Sequence, residues 1–290
     1  MRRLAALLLA AAVLLASGAY LQREPLMLSF LAARTAPSSL EARAALIAPA
    51  MRFIPPEGAA PPYPAVIQFH GCAGYRADFM EAWAEAANRQ GYLAVLVDSS
   101  GPRGLDRAQS LAQVCAGKAL IGQERAGDVL AAYEIVRQRS DVDPSRIVLA
   151  GWSHGAWSVM DLIALEGTRR LPAGLSGPAP PLEIAGAILV YPYCGRGSWT
   201  RLEGWRAPVA SLALLAGKDT VVDPAECPAL FRRLAEDGAE IDMVVYPEAD
   251  HVFDDPFLAP ADIHMYDAED HRDAVARYEG FLEKIRGKTD

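Results

Sequence analysis

A serine between two glycines is the first candidate for chemistry in this chain. Ser153 stands in Gly151-Trp152-Ser153-His154-Gly155, after the apolar run 147–150 and before a run that can continue as a helix. A Gly-x-Ser-x-Gly segment between a buried strand and a helix exposes its serine on a sharp, strained turn. Side chains at positions 151 and 155 would crowd the neighbouring strand and helix. Because such pentapeptides also occur by chance, a nucleophilic role requires support from other residues.

A serine hydroxyl needs a base that accepts its proton and an acid that orients the base. In α/β-hydrolases the acid and then the histidine follow the serine along the chain. Of the five histidines, His70 precedes Ser153 and His154 adjoins it, which leaves three candidates. His251 lies just beyond the predicted strand 241–246, where a loop can return over the serine. His264 is an alternative, and His271 lies among charged residues of the last predicted helix, which indicates a solvated position.

Two aspartates are candidates for the acid. Asp219 follows the predicted strand 209–216, at the edge of the sheet that also carries the serine. Asp223 precedes Pro224, a position that suits a helix N-cap with proline at the first helical residue. We therefore predict a triad of Ser153, Asp219 and His251, with Asp223 as the alternative acid.

A loop of small residues is expected to supply an oxyanion hole. The short apolar run 65–69 leads into His70-Gly71-Cys72-Ala73-Gly74, where α/β-hydrolases carry one oxyanion donor. We predict that the N–H groups of Cys72 and His154 bind the substrate oxygen. For His70 a structural role is favoured over a catalytic one. Arg103, in a later loop, is predicted to be an exposed arginine rather than a partner for a substrate carboxylate.

Strands alternate with helices along the chain. This order predicts an α/β-hydrolase fold with a mostly parallel central sheet and helices on both faces. The pattern predicts strands at 65–69, 93–97, 147–150, 185–191, 209–216 and 241–246 and helices at 78–90, 123–138, 224–236 and 271–285. Residues 45–54 are expected to be extended, and the Pro- and Gly-rich segment 171–181 is expected to be a surface excursion.

Charge and composition exclude several classes of partner. The net charge is −8 without a block of lysine or arginine, which argues against nucleic acid, whose backbone requires a basic protein face. No Cys-x-x-Cys spacing is present, so no metal site is expected. The chemistry of a serine nucleophile implies no cofactor. The sequence leaves the oligomeric state open.

The N-terminus predicts export. Arg2 and Arg3 precede an apolar run from position 4 to 16 and then small residues, the pattern of a secretory signal peptide. Apolar character continues to Leu21, which approaches the roughly 18 residues of a membrane anchor. We therefore expect residues 1–19 to be a signal peptide or a retained anchor, 20–44 a lead-in segment that packs on the domain or lies at a membrane surface, and 45–290 the catalytic domain, in the periplasm or secreted.

These motifs together resemble the dienelactone hydrolase family, over about residues 64–284. The resemblance rests on the loop 70–74, residues 98–104, the elbow around Ser153, Gly217-Lys218-Asp219, and Tyr246-Pro247 followed by His251 and Phe253. It implies that Ser153, Asp219 and His251 match the triad positions of the family. The enzymes that gave the family its name carry cysteine at the nucleophile, so a serine here favours ordinary esters.

The fold of that family also indicates how the four cysteines pair. An even number of cysteines in an exported protein suggests disulfides, with four buried thiols as the alternative. In the expected fold, Cys72 and Cys115 follow neighbouring strands, as do Cys194 and Cys227, so we predict these two pairs. The predicted function is hydrolysis of carboxylic esters or lactones through an acyl-enzyme. The alternatives are a serine peptidase or a non-catalytic binding protein on the same fold.

Overall fold

A seven-stranded sheet forms the centre of the molecule. The computed structural model describes residues 23–178, 180–206 and 208–287. The strands, in chain order, are β1 (Ser38–Ser39), β2 (Met51–Ile54), β3 (Tyr63–Phe69), β4 (Leu93–Val97), β5 (Val142–Trp152), β6 (Leu175–Ser176), β7 (Gly186–Val190), β8 (Ser211–Ala216) and β9 (Ile241–Tyr246). The sheet has the order β2-β4-β3-β5-β7-β8-β9, and all its neighbours are parallel except β2 and β4. The α/β-hydrolase architecture is therefore confirmed.

Helices cover both faces of this sheet. The longer helices are α1 (Arg23–Arg34), α2 (Leu40–Ile47), α3 (Ala77–Arg89), α4 (Gly122–Arg137), α5 (His154–Gly167), α6 (Glu226–Glu236) and α7 (Ala268–Gly287). Shorter helical turns are Ala48–Ala50, Gly101–Arg103, Arg107–Ser110, Leu111–Cys115, Trp199–Glu203 and Ile263–Met265. Helices α2, α4, α5 and α6 share one apolar core, and α3 and α7 share the other.

Side-chain alternation along the strands feeds these two cores. On β3, Ala65, Ile67 and Phe69 enter the core of α4 and α5, whereas Val66 enters the core of α3 and α7. Strands that are buried on both faces are continuously apolar, because neither set of side chains meets water. This explains why β3, β4 and β8 are visible in the sequence as short apolar runs.

Parallel strands bring the chemically active loops to one edge. The loops after β3, β5, β8 and β9 all leave from the carboxyl ends of strands, where ligands bind in open α/β sheets. These are the loops of the predicted oxyanion donor, serine, acid and histidine, respectively. The sheet topology thus gathers residues that are up to 179 positions apart, from Cys72 to His251.

The prediction for residues 45–54 is wrong in its first half. Helix α2 continues to Ile47, a 3-10 turn occupies Ala48–Ala50, and only Met51–Ile54 is a strand. The Ser39 hydroxyl accepts from the N–H of Ala42 at 3.1 Å and caps α2. Leucine, alanine, glutamate and arginine, which dominate α2, also favour a helix.

The lead-in segment packs on the domain. In α1, Leu28 is fully buried in the core shared with α4 and α5. Strand β1 pairs with β6, so the excursion 171–181 contains a short strand that joins it to the lead-in. Helix α2 spans the boundary that the sequence analysis set between residues 44 and 45. The predicted signal peptide or anchor, residues 1–19, lies outside the described residues, and among those described no helix is long and apolar enough to cross a membrane.

Candidate active site

The elbow serine lies at the carboxyl end of β5, the middle strand of the sheet. Ser153 has φ 51° and ψ −115°, a conformation that residues other than glycine rarely adopt. Its N–H donates to the carbonyl oxygen of Val190 on β7 at 2.8 Å. A Cβ at Gly155 would collide with the carbonyl oxygen of Phe69, and one at Gly151 would collide with the backbone of α5. The turn therefore requires glycine at both positions.

The three residues predicted as a triad form a row in which His251 is within hydrogen-bonding distance of both Ser153 and Asp219. Ser153 Oγ is 3.0 Å from His251 Nε2, and His251 Nδ1 is 2.7 Å from Asp219 Oδ2. Both Asp219 and His251 are buried. Because a carboxylate only accepts hydrogen bonds, Nδ1 carries the imidazole proton and Nε2 presents its lone pair to the serine hydroxyl. This geometry suits a nucleophile, a base and a residue that orients the base.

Backbone groups hold the aspartate in position. Asp219 Oδ1 accepts from the N–H groups of Val221 and Val222, both at 2.9 Å. The acid loop is also tied to the histidine loop, because Thr220 donates to Asp250 Oδ1 from its N–H at 2.7 Å and from its hydroxyl at 2.9 Å. Of the two carboxylate oxygens, Asp219 Oδ2 therefore remains for the histidine. The bonds between Thr220 and Asp250 fix the acid loop relative to the histidine loop.

Two backbone N–H groups beside Ser153 are open to a substrate oxygen. In the described part of the chain, neither the N–H of Cys72 nor that of His154 donates to another residue. A Cβ at Gly71 would lie 3.6 Å from Ser153 Cβ, so the loop after β3 runs directly beside the serine. The arrangement fits the two predicted oxyanion donors.

Two disulfides brace the loops at this edge. Cys72 is bonded to Cys115 and Cys194 to Cys227, the pairing that the sequence analysis predicted, and no cysteine is free. The first bond ties the loop after β3 to the helical turn Leu111–Cys115. The second ties the loop after β7 to α6. Both loops therefore have little freedom to move away from Ser153.

A buried arginine that the sequence analysis did not single out lies under the oxyanion loop. Arg125 of α4 is fully buried, and its Nη1 donates to the carbonyl oxygen of His70 at 2.7 Å and to His154 Nδ1 at 3.0 Å. Burial and the charge of Arg125 hold the pKa of His154 well below its usual value, so this imidazole is neutral and accepts. One side chain thus contacts both chain segments that carry the oxyanion donors. Its signal in the sequence was a charge on the apolar face of α4.

A second missed group lies behind the histidine. The ring of Tyr191 packs on that of His251 with centroids 4.6 Å apart. The Tyr191 hydroxyl donates to Asp254 Oδ1 at 2.6 Å, and Trp152 Nε1 donates to Asp254 Oδ2 at 3.0 Å. Asp254 therefore connects the residue before the elbow serine with the loop that carries the histidine.

The buried Asp254 carboxyl predicts a pH dependence of stability. Burial raises its pKa to about 7. A carboxyl with a higher pKa in the folded chain stabilises the fold at low pH, and this contribution disappears as the pH rises from about 4 to about 7. Asp254→Asn lacks this titration, yet its amide can accept from Trp152 and donate to Tyr191. We expect urea unfolding to show that the wild type loses stability relative to this variant over that pH range.

The matched control is the same change at Asp237, which is exposed. This variant measures how far replacing an exposed carboxylate by an amide changes stability over the same pH range, and the Asp254→Asn difference should change by more. A constant difference for Asp254→Asn would contradict the assignment of this titration to Asp254.

The other histidines serve structural roles or lie away from the serine. His70 is buried, and its Nε2 accepts from the N–H of Ser99 at 3.1 Å, in agreement with the structural role predicted for it. His264 is exposed on a 3-10 turn. His271 corrects the prediction of a solvated position: it is half-buried against Trp83, with ring centroids 6.1 Å apart, because α7 packs on α3.

Arg103 and Asp223 also have structural partners. The Arg103 guanidinium donates to both carboxylate oxygens of Asp128, at 2.8 and 3.0 Å. It is therefore paired within the protein, not a free arginine of an exposed loop, because the turn Gly101–Arg103 folds back onto α4. Asp223 is exposed and accepts from the N–H of Ala225 at 2.9 Å, one residue before α6 begins.

Two cavities meet at Ser153. The first, here called the histidine-side cleft, measures about 370 Å³ and is lined by His251, Phe79, Leu111, Leu258 and Met265. The second, the helix-side cleft, measures about 390 Å³ and is lined by His154, Met27, Leu31, Ile121, Trp157 and Tyr193. Ser153, Cys72, Cys115 and Val221 line both. The serine hydroxyl is therefore reached from two directions.

Comparison with known families identifies the fold more closely. The model of the dienelactone hydrolase family matches residues 50–286. The chain belongs to the dienelactone hydrolase family. The matched range includes Ser153, Asp219 and His251, and it begins after α1 and α2. A search of curated proteins found no match.

Solved structures of similar fold agree with the family. The chain is similar to P91, a dienelactone hydrolase-like promiscuous phosphotriesterase from metagenomic libraries, with 17% identity, a TM-score of 0.62, and 81% of this chain and 99% of that chain covered. An esterase of Thermogutta terrifontis with bound propionate has 15% identity and a TM-score of 0.59, with 83% and 91% covered. Est1E of Butyrivibrio proteoclasticus with bound ferulic acid has 16% identity and a TM-score of 0.56, with 82% and 95% covered.

Among residues 23–178, 180–206 and 208–287, no cluster of histidine, cysteine, aspartate and glutamate is arranged to hold a metal ion.

Proposed function

We propose that this protein hydrolyses carboxylic esters through a covalent acyl-enzyme on Ser153. The observation that carries the proposal is the continuous contact from Ser153 Oγ to His251 Nε2 and from His251 Nδ1 to Asp219, at the junction of two cavities. A serine in this arrangement becomes a nucleophile because the imidazole accepts its proton as it attacks.

In the first step Ser153 Oγ forms a bond to the ester carbonyl carbon and its proton passes to His251 Nε2. The charge that develops on the carbonyl oxygen is stabilised by the N–H groups of Cys72 and His154. The tetrahedral intermediate then collapses, the bond to the alcohol oxygen breaks, and His251 returns the proton to that oxygen. Asp219 keeps the imidazole in the required tautomer throughout.

In the second step a water molecule replaces the alcohol. His251 removes a proton from the water as its oxygen attacks the acyl carbon, and the same two N–H groups again hold the oxyanion. Cleavage of the bond to Ser153 Oγ releases the carboxylic acid and restores the serine hydroxyl. A lactone follows the same course, except that its alcohol group remains part of the released molecule.

The family and the fold neighbours support ester chemistry. Structures of similar fold include proteins described as esterases and one described as a promiscuous phosphotriesterase. A serine nucleophile is suited to esters. A base must accept the hydroxyl proton as the oxygen attacks the ester carbon, and His251 can act as that base. A peptidase and a ligand-binding protein without activity remain the competing functions, and the experiment below separates them.

We also propose that the catalytic domain acts outside the cytoplasm, in the periplasm or secreted, or attached to a membrane through its N-terminus. The basic and apolar pattern of residues 1–19 motivates export. Two disulfides are compatible with it, because such bonds persist in oxidising compartments. The expected partner is a small ester or lactone, and no nucleic acid is expected.

Labelling with a fluorophosphonate probe tests the catalytic assignment. The serine oxygen displaces fluoride from phosphorus, so an assembled site should give one adduct, located on Ser153 by mass spectrometry of peptides. The labelled protein should also lose hydrolysis of p-nitrophenyl esters, and a panel with lactone and peptide substrates then separates the classes. Heat-unfolded protein is the control and should not react. A folded protein without an adduct would support the binding-protein alternative instead.

A further inference from the structure

The two cavities beside Ser153 differ in which catalytic group they contain. His251 lines the histidine-side cleft and does not line the helix-side cleft, whereas His154 lines only the helix-side cleft. In acyl transfer the base must give its proton to the leaving oxygen, so the alcohol has to lie on the side of the imidazole. The acyl group then extends into the cleft that does not contain the imidazole.

We propose that the helix-side cleft binds the acyl chain, and that the substrates are esters of apolar, medium-chain carboxylic acids. This inference rests on the function proposed above. A volume of about 390 Å³ lies within the range of cavities that bind small organic ligands. Because each buried CH₂ group stabilises the bound chain by roughly 0.8 kcal/mol, medium-length acyl chains are favoured over acetyl or propionyl groups.

The walls of the helix-side cleft are suited to an alkyl chain. Met27 and Leu31 of α1 form one side, and Ile121 and Trp157 form another. The Trp157 ring packs on that of Tyr193 with centroids 4.8 Å apart and the ring planes inclined by 56°, so two aromatic side chains contribute to this wall. Apolar surface of this kind stabilises a chain by removing it from water, at roughly 0.8 kcal/mol for each buried CH₂ group.

Helix α1 is held firmly enough to act as a wall. Leu28 is fully buried, and its carbonyl oxygen accepts from Gln123 Nε2 of α4 at 3.0 Å. Both carboxylate oxygens of Glu24 accept from Arg201 Nη1, at 2.8 and 2.7 Å. These contacts hold α1 where Met27 and Leu31 line the cleft. The family match begins at residue 50, so this wall lies outside the matched range.

Tryptophan substitutions on α1 test the acyl assignment. Leu31 lines the cleft, whereas Leu26 on the same helix is 65% exposed and does not line it. In the full-length protein, Leu31→Trp should lower the ratio of kcat/KM for p-nitrophenyl octanoate to that for p-nitrophenyl acetate by about tenfold or more. Leu26→Trp should change this ratio by less than about twofold. Both esters share one leaving group, so the contents of the histidine-side cleft stay constant.

An enlarged cleft should have the opposite effect. Leu31→Ala should raise the ratio of kcat/KM for p-nitrophenyl dodecanoate to that for p-nitrophenyl octanoate. If Leu31→Trp does not fold, this variant still tests the acyl assignment. Unfolding followed by circular dichroism establishes which variants are folded. An unchanged ratio in both Leu31 variants, with wild-type rates of fluorophosphonate labelling at Ser153, would overturn the acyl assignment and leave the hydrolase function intact. Absence of labelling in the wild type would instead overturn both.

Discussion

Replacing Ser153 with alanine is expected to lower kcat/KM for p-nitrophenyl esters by about 10³- to 10⁶-fold while leaving the fold unchanged. The reason is geometric: the Oγ that lies 3.0 Å from His251 Nε2 belongs to a residue that lines both clefts. The residual rate reports what the oxyanion donors achieve without a nucleophile. Initial rates at several substrate concentrations, with circular dichroism spectra of both proteins, measure the effect. Activity near the wild-type level would remove Ser153 from the mechanism.

Glycine at the same position separates activity from stability. Ser153 has φ 51°, so its backbone is strained by about 1–3 kcal/mol, and glycine relieves that strain. Ser153→Gly should be as inactive as Ser153→Ala, yet it should be more stable than the alanine variant in urea unfolding. Equal free energies of unfolding for the two variants would show that the backbone conformation at position 153 costs a residue with a side chain no more than it costs glycine.

Asp219→Asn is expected to lower kcat by about 10⁴-fold. The N–H groups of Val221 and Val222 both donate to Oδ1, so the amide oxygen of asparagine will remain on that side. Its NH₂ group then faces His251 Nδ1, which must accept, and the imidazole proton moves to Nε2. A protonated Nε2 cannot take the proton of Ser153, so the base is lost although all distances are kept.

The control for this change is Asp223→Asn. Asp223 is four residues away, exposed, and bonded only to the turn before α6. Its replacement should change kcat by less than about twofold. A comparable loss in both variants would indicate that the acid loop as a whole, rather than the orientation of His251, determines the rate. A fully active Asp219→Asn would exclude this aspartate as the orienting acid.

Much of the architecture could be predicted from the sequence because the relevant signals are local. Strands buried on both faces are continuous apolar runs, and the parallel order places the segments after β3, β5, β8 and β9 at one edge. Chain order then selected Asp219 and His251 from several candidates. Helix boundaries of α3, α4 and α7 were predicted within a few residues, since apolar periodicity indicates them.

The features that were missed depend on contacts between distant segments. Arg125 resembles any charged helix residue until the fold brings the His70 carbonyl oxygen and His154 Nδ1 to it. Asp254 is conspicuous only once Tyr191 and Trp152 are known to meet it. Such partners lie 29 to 102 positions apart, and no periodicity in the sequence records them. Tertiary packing therefore decides which polar groups are buried and which bind water.

The residues of α1 that line the proposed acyl cleft and the residues proposed for catalysis lie in separate parts of the chain. Every residue of the Ser153–His251–Asp219 contact lies after position 150, whereas Met27 and Leu31 lie before the family domain begins. Substitutions in α1 can therefore accumulate without disturbing the reacting atoms. Substrate preference can therefore change through substitutions in α1 while Ser153, His251 and Asp219 stay the same. Because Leu28 is fully buried in the core, loss of the whole helix would disturb the fold, so a change of selectivity alone is expected from single positions of α1 that line the cleft.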